Sequence, residues 1–164
     1  VEETITHRQT ILDHVQWTEP QRYFHTTGGL GQGLGLALGV KLAMPDKPVV
    51  ALMGDGSLLY NPVVQSLGVA NEAELPILII VFNNGKYSVM QSIHLGWYPE
   101  GDANTNQVFH GVHIPGPDYQ GLVEPFGGYG QKVEDPAELR PALRRALDAV
   151  KGGRTAIVDV VLAY

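Results

Sequence analysis

The chain has 164 residues, of which 44% are hydrophobic and 17% charged, so it can bury a core as one domain of ordinary size. Its net charge of -6 argues against nucleic acid as the main partner, because phosphate backbones are bound by clustered Lys and Arg. It has no cysteine, which excludes disulfides and makes the cytosol the default location, and no apolar run reaches the ~18 residues of a membrane span.

Apolar spacing and turn residues predict helices and strands that alternate along the chain. The first four residues lack an initiator Met and resemble the end of a strand, so we expect a processed, split or excised piece of a longer protein; a start at a chosen domain boundary is the alternative. The predicted elements, in chain order, are a helix over residues 6–15, a loop over 17–27, a buried helix over 28–43, a strand over 48–53, a helix over 61–75, a strand over 76–82, a helix over 87–95, a long loop over 96–117, a short helix over 119–126, a strand over 129–133, a helix over 136–150 and a strand over 155–162.

This alternation predicts an α/β fold in three layers, doubly wound, with a mainly parallel sheet and right-handed crossovers. Asn61 is predicted to cap the helix over 61–75, with Pro62 at its first position.

The glycines of the helix over 28–43 do not fit a dinucleotide-binding turn. A Rossmann motif follows a strand, whereas a polar loop precedes this helix, and the Gly-x-Gly-x-x-Gly spacing is not met. Gly31, Gly35 and Gly39 are instead four residues apart and share one helix face, which predicts close packing against another backbone, such as that of a partner subunit.

Two polar segments directly follow predicted strands. Gly54-Asp55-Gly56-Ser57 ends one strand, and Asn83-Asn84-Gly85-Lys86-Tyr87 ends the next. Ligands of open α/β sheets bind beyond the carboxyl ends of the strands. We therefore expect the two segments to meet at one edge of the sheet.

Their chemistry suits a divalent cation beside a phosphate. Asp55 offers a carboxylate, Asn84 an amide oxygen and Lys86 a backbone carbonyl, and Mg²⁺ prefers such oxygen ligands. Gly56 lets the backbone approach a phosphate closely, and Ser57 can donate a hydrogen bond to it. An ordinary turn is the alternative for each segment alone, but the pair is more specific.

The two segments together resemble the thiamine-diphosphate motif, which opens with Gly-Asp-Gly and closes with Asn-Asn. The resemblance extends to Gly28-Gly29-Leu30-Gly31, to Ile114-Pro115-Gly116-Pro117-Asp118-Tyr119 and to the last helix and strand. All of these are similar to the C-terminal domain of the benzoylformate decarboxylase and acetolactate synthase group.

The resemblance implies that thiamine diphosphate and Mg²⁺ are the cofactors. Asp55 and Asn84 would bind the metal through their side chains, and Lys86 through its backbone oxygen. Leu30 would hold the cofactor in its bent form, although a core leucine is the alternative; for Thr6 the alternative is a helix N-cap. The implied cofactor-binding residues are Thr6, Gly28, Leu30, Gly54, Asp55, Gly56, Ser57, Asn84, Lys86 and Tyr87.

No catalytic residue is assigned in this chain, but histidines are candidates for proton transfer near neutral pH. The candidates are His25, which precedes the glycine turn, and His94 and His113, which lie in or near the long loop; a solvated loop side chain is the alternative for each. On the first helix, His7 is expected to approach the cofactor.

In this family a glutamate that activates the cofactor belongs to a separate pyrimidine-binding domain. No such motif surrounds the glutamates of this chain, and no second α/β domain is present. We therefore expect residues 1–164 to be the diphosphate-binding domain, with the pyrimidine-binding domain supplied by another chain or by the rest of the same protein, in a homo- or hetero-oligomer.

The implied function is that of an enzyme component that cleaves or forms a C–C bond next to a carbonyl group. A 2-oxo acid decarboxylase, an acetolactate synthase-like carboligase and a 2-hydroxyacyl-CoA lyase remain open. One alternative is a non-catalytic subunit that keeps the diphosphate site for assembly. Another is a flavodoxin-like domain that binds a different phosphate without a metal.

Overall fold

The sheet has five strands, each parallel to its hydrogen-bonded neighbours, in a computed structural model that describes residues 1–162. The strands are β1 (Glu2–Glu3), β2 (Val50–Gly54), β3 (Leu78–Asn83), β4 (Tyr129–Val133) and β5 (Ala156–Val161). Their order across the sheet is β1-β2-β3-β5-β4. Because all strands run the same way, their carboxyl ends form one edge.

Helices connect the strands. They are α1 (Arg8–His14), α2 (Gly33–Ala43), α3 (Asp55–Tyr60), α4 (Val63–Glu72), α5 (Ser88–Trp97), α6 (Asp102–Thr105) and α7 (Pro136–Lys151), with a 3₁₀ helix at Tyr119–Phe126. Within residues 1–162, no helix has the length and apolar character needed to cross a membrane.

Two hydrophobic clusters lie on opposite faces of the sheet. On one face, α2, α4 and the 3₁₀ helix pack on the central strands through side chains such as Leu34, Leu67 and Val123. On the other face, α7 places Ala142 and Ala146 against the sheet. These three layers confirm the predicted α/β class with a doubly wound sheet, which is entirely parallel within residues 1–162.

The central strands read as continuous apolar runs because both of their faces are covered. In β3, alternate residues serve the two clusters: Ile79 and Val81 belong to one, and Leu78 belongs to the other. The start of the chain, expected to be the end of a strand, pairs with β2 through Glu2 and Glu3.

The predicted start of the helix over 28–43 was wrong. That helix, α2, begins at Gly33, because Gly28 and Gly31 have φ angles of +93° and +95°, which no α-helix contains. Residues 28–32 therefore form a loop at the carboxyl edge of the sheet. Gly35 and Gly39 are on α2, and added Cβ atoms there would meet nothing within 4 Å, so their contact with a partner stays a prediction.

Two short helices were not predicted. α3 begins immediately after β2, where the Gly-Asp-Gly-Ser sequence has poor helix propensity and was read as a turn. α6 lies within the residues predicted as a long loop, and α5 extends two residues past its predicted end.

The predicted capping role of Asn61 was also wrong. The helix α4 has Pro62 at its N-cap position, with no side-chain hydrogen bond. The Asn61 side chain instead lies inside the protein, where it donates to Glu3 Oε2 at 2.7 Å and accepts from the Leu34 amide at 3.0 Å. Asn61 therefore ties α2 to β1 and does not cap α4.

Candidate functional site

A cavity of about 300 Å³ opens at the carboxyl edge of the sheet, where β1, β2 and β3 end. The residues that line it are Ile5, Thr6, His7, Leu30, Gly54, Asp55, Gly56, Ser57, Tyr60, Phe82, Asn84, Lys86, Tyr87, Ser88, Val89, Met90 and Gly111. Every residue expected to bind the cofactor lines this cavity except Gly28, which is exposed on the preceding loop.

Asp55 is the buried carboxylate of the cavity, with only 4% of its surface exposed. It is the first residue of α3, directly after β2. Its Oδ2 accepts a hydrogen bond from the Gly85 amide at 2.8 Å, which links the two polar segments directly. Burial raises the pKa of Asp55 above its ordinary value of 3.8, while the amides of Gly56 and Gly85 partly offset this effect.

Asn84 is held in place by its own turn. Its Oδ1 accepts from the Lys86 amide at 3.0 Å, and its Nδ2 donates to Ser88 Oγ at 3.0 Å. A second lone pair of Oδ1 remains for another partner. The carboxylate of Asp55, this amide and Lys86 thus face one space, as the sequence predicted.

The turn that carries Asn84 is fastened to the long segment that follows α6. The Tyr87 amide donates to the Val112 carbonyl at 2.8 Å, and the Ile114 amide donates to the Gly85 carbonyl at 2.9 Å. These backbone bonds brace the turn from outside the sheet.

Tyr87 and Gly56 are in close contact across the cavity wall. A Cβ atom on Gly56 would lie 2.5 Å from Cε1 of Tyr87 and 3.1 Å from Cδ1 of Ile114, so a side chain at this position would displace the ring. The Tyr87 ring also meets Tyr60 edge-on, with 6.3 Å between centroids. Burial raises the pKa of Tyr87, so its phenol is neutral at physiological pH.

Leu30 reaches the cavity from the glycine loop. The loop passes so close to α3 that a Cβ on Gly31 would lie 2.5 Å from the carbonyl oxygen of Tyr60. Glu3, which is buried, accepts from the Gln32 amide at 2.9 Å at the end of the same loop. The position of Leu30 is therefore fixed from both sides, by α3 and by β1.

His7 lines the cavity, although the resemblance does not place it among the cofactor-binding residues. Its ring stacks on Phe82 with 5.2 Å between centroids, and burial lowers its pKa, so the imidazole is neutral at pH 7. Two further cavity residues, Tyr60 and Phe82, were not singled out from the sequence. Tyr60 is the last residue of α3. Because α3 was not predicted from the sequence, the sequence did not indicate that Tyr60 reaches the cavity.

None of the three candidate catalytic histidines lines the cavity. His25 is exposed and stacks on Tyr23, and His94 on α5 is half-buried against the rings of Tyr98 and Phe109. His113 lies beside the turn over residues 83–87, where it forms a backbone bridge with Lys86. The structure thus separates these histidines from the expected cofactor site.

The lining offers groups that can hold a hydrated cation, an anionic group and an apolar ring. Asp55 and Asn84 provide oxygen atoms, whereas Ile5, Leu30 and Met90 provide apolar surface. No cluster of three or more His, Cys, Asp or Glu side chains able to hold a metal occurs in the described part of the chain. The expected set differs from such clusters because it has a single carboxylate, a composition suited to Mg²⁺ that shares a phosphate.

Comparison with known proteins gives one family. The model of the C-terminal TPP-binding domain of thiamine pyrophosphate enzymes matches residues 5–160. The acetolactate synthase isozyme 3 large subunit of Escherichia coli is 32% identical in an alignment of 164 positions that covers 95% of this chain and 26% of that protein. Benzoylformate decarboxylase of Pseudomonas aeruginosa is 30% identical in an alignment of 152 positions that covers 91% of this chain and 27% of that protein.

Solved structures agree with these relatives. A thiamine diphosphate-dependent 4-hydroxybenzoylformate decarboxylase of Rhodococcus jostii RHA1 superposes with a TM-score of 0.65 at 31% identity, over 83% of this chain and 23% of the other. Benzoylformate decarboxylase from Polynucleobacter necessarius superposes with a TM-score of 0.74 at 27% identity, over 98% of this chain and 29% of the other. The chain therefore spans only about a quarter of the length of the proteins it matches.

Proposed function

The chain belongs to the thiamine pyrophosphate enzyme family, whose C-terminal cofactor-binding domain it matches, and we propose that it is the diphosphate-binding domain of an enzyme that cleaves or forms C–C bonds next to a carbonyl group. The observation that carries this proposal is the meeting of Asp55, Asn84 and Lys86 in one cavity at the carboxyl edge of the sheet. The expected residues fit the cofactor, because a buried carboxylate faces neutral oxygens beside the closely packed backbone of Gly56.

In this proposal Asp55 and Asn84 bind Mg²⁺ through their side chains and Lys86 through its carbonyl, and the metal holds the diphosphate. Ser57 and the first amides of α3 donate hydrogen bonds to the phosphate oxygens. Thiamine diphosphate, when bound, supplies the electron sink that such C–C chemistry requires.

The remaining cavity residues orient the cofactor and exclude water. Leu30, held between α3 and β1, presents a rigid apolar surface to the ring system, and Tyr87 lines the cavity beside Gly56. His7 adds a neutral imidazole near Asp55 that can donate or accept one hydrogen bond. We assign no proton transfer to His25, His94 or His113, since they lie outside the cavity.

We further propose that the reaction needs a pyrimidine-binding domain in addition to this one. The two domains act together in a dimer or tetramer, and the enzyme is cytoplasmic. The substrate is a 2-oxo acid or a 2-hydroxyacyl compound. The relatives favour a decarboxylase or an acetolactate synthase-like carboligase, since they include members of both kinds. A lyase that acts on 2-hydroxyacyl-CoA is the third possible class, and a substrate test distinguishes it from the other two.

The test is calorimetric titration of thiamine diphosphate into the protein with and without Mg²⁺, followed by turnover of pyruvate, benzoylformate and a 2-hydroxyacyl-CoA thioester in the presence of the pyrimidine-binding domain. We expect Mg²⁺-dependent binding that Asp55→Ala weakens at least about 100-fold, since it removes the charged ligand. Asp46→Ala, at an exposed acidic residue outside the cavity, is the matched control and should bind normally.

Three results distinguish the alternatives. Binding without turnover in any combination of domains would favour a non-catalytic assembly subunit. Phosphate binding that does not depend on a metal would favour the flavodoxin-like alternative. Unchanged affinity in Asp55→Ala would contradict the proposed site itself.

A further inference from the structure

Asp159 is a buried acidic side chain that the proposed function does not use. It lies in β5, opposite Val81 of β3, with 2% of its surface exposed. Its neighbours in the strand belong to the hydrophobic clusters: Ile157 to one face and Val158 to the other. Because side chains alternate along a strand, Asp159 shares the face of Ile157, on the side of α4 and the 3₁₀ helix.

A carboxyl group in this position is costly, since burial removes it from water. Its Oδ1 has no hydrogen-bond partner among residues 1–162, and burial raises its pKa. Packing alone would be served better by an apolar residue. The hydrogen bond that the other carboxylate oxygen, Oδ2, accepts is therefore informative about the role of Asp159.

That contact leads to the turn over residues 83–87, which carries the proposed ligands Asn84 and Lys86 and is called the metal-binding turn below. Asp159 Oδ2 accepts a hydrogen bond from Asn83 Nδ2 at 3.3 Å. The other end of the same amide, Asn83 Oδ1, accepts from the Gly85 amide at 3.2 Å. The Gly85 amide in turn donates to Asp55 Oδ2 at 2.8 Å. Four groups on three segments thus form one chain of contacts that ends at the expected metal ligand.

We propose that Asp159 is a positioning residue that sets the orientation of the Asn83 amide and, through it, the geometry of the metal-binding turn. The carboxyl oxygen accepts and cannot donate in the ionised form, so the NH₂ end of Asn83 faces it and the oxygen end faces Gly85. Without an acceptor at position 159, only the 3.2 Å bond from the Gly85 amide still orients the Asn83 amide, which is then free to rotate away from it towards other partners. The turn would lose the bond that aligns Gly85 with Asp55, and Asn84, the adjacent residue, would shift with it.

The inference rests on the proposed function, because it takes Asp55 and Asn84 to bind Mg²⁺. Groups that hold metal ligands in place change metal affinity by about 10- to 100-fold when they are removed. We therefore expect an effect of that size on Mg²⁺ binding from a residue that does not touch the metal.

The decisive variant is Asp159→Leu, which has a similar size and removes both the acceptor and the buried carboxyl group. In the protein assembled with its pyrimidine-binding domain, calorimetry at saturating thiamine diphosphate should give a Kd for Mg²⁺ about tenfold or more higher. Its melting temperature without cofactor should equal or exceed that of the wild type. A merely structural role would lower the melting temperature and leave the Kd unchanged, and that result would overturn the proposal.

Two further variants test the route through Asn83. Asp159→Asn keeps an acceptor oxygen, so its Kd should lie closer to the wild-type value. Asn83→Ala should weaken Mg²⁺ binding as Asp159→Leu does, and the double variant should be no weaker than Asn83→Ala alone, because both act on one contact. Additive effects in this cycle would contradict the proposal.

The outcomes remain separable from those of the proposed function. If the wild type itself shows no Mg²⁺-dependent binding of thiamine diphosphate, the proposed function fails. If the wild type binds and Asp159→Leu binds equally well, only the positioning role fails. Should Asp159→Leu not fold, Asn83→Ala removes the same contact from the other end, and normal Mg²⁺ affinity in that variant would again overturn the role.

Discussion

At the scale of single residues, Asp55 shows how a ligand site conflicts with stability. Its carboxylate is buried where the offsetting contacts are backbone amides, chiefly those of Gly56 and Gly85, and its pKa is raised. A raised pKa means that the folded, cofactor-free protein disfavours the charged form. The charge that the proposed metal requires is therefore a cost to the domain in its absence.

We expect Asp55→Asn to raise the melting temperature of the cofactor-free protein at pH 7 while weakening Mg²⁺-dependent cofactor binding. The cost of the wild-type carboxylate is absent below its ordinary pKa of 3.8, grows as the pH rises, and is complete above its raised pKa. The increase in melting temperature of Asp55→Asn over the wild type should thus be larger at pH 7 than at pH 3.5. For a domain of this size, each kcal/mol corresponds to about 2–4 °C.

Thermal unfolding of both proteins at the two pH values measures this difference. Asp46→Asn, at an exposed position, should change the melting temperature at neither pH. A variant that is less stable than the wild type at pH 7 would show that the amide contacts of the carboxylate outweigh its burial.

At the scale of elements, sequence reasoning succeeded where one periodicity dominates. The strands β2 and β3 are continuous apolar runs, and α7 is amphipathic over its whole length, so each was predicted to within a few residues. α3 could not be predicted, since a six-residue helix that begins Asp-Gly-Ser has little intrinsic stability and forms only because β2 and the packed Tyr87 ring hold it there.

The residues of the candidate site also differ in how far the sequence could predict them. Asp55 and Asn84 were predictable because they follow strands, and parallel strands end at one edge. Tyr60 enters the cavity through α3, and its approach depends on tertiary contacts that no local pattern encodes. His7 was expected near the site on the first helix, and it enters the cavity from the segment between β1 and α1. Gly28 does not line the cavity, so its contact with the cofactor stays a prediction.

The glycine loop gives the prediction that belongs to this scale. Gly28 and Gly31 both have positive φ, but a Cβ at Gly28 would meet nothing, whereas one at Gly31 would lie 2.5 Å from the Tyr60 carbonyl. Each alanine variant bears the backbone strain of about 1–3 kcal/mol. Gly31→Ala must also push the loop away from α3, which moves Leu30.

We therefore expect Gly31→Ala to have the lower free energy of unfolding of the two and to bind thiamine diphosphate more weakly, with Gly28→Ala as its matched control. Chemical denaturation and calorimetry measure the two quantities. Equal losses in both variants would mean that strain alone acts and that the contact with α3 does not position the loop.

At the scale of the whole molecule, α5 carries an apolar surface that the described residues leave uncovered. The helix has no buried residue, and Met90, Ile93 and Trp97 are exposed at spacings that place them on one side. Met90 also lines the cavity, so this surface begins at the cofactor site and continues outward. Exposed apolar surface next to a binding site is typical of an interface, and the proposed pyrimidine-binding domain must approach the same cavity to complete it.

We expect Trp97→Asp to weaken the assembly with the pyrimidine-binding domain by about tenfold or more, because Trp97 is 75% exposed and interface tryptophans often contribute about 2 kcal/mol or more. Sedimentation velocity over a dilution series measures this change. Val69→Asp, at a residue 49% exposed in the second half of α4, is the control and should assemble normally, since α4 runs away from the carboxyl edge. Trp97→Phe should retain most of the affinity. If Trp97→Asp assembles like the wild type and retains its turnover, α5 faces solvent in the assembled enzyme and the partner domain reaches the cavity from the side of Ile5 and Thr6.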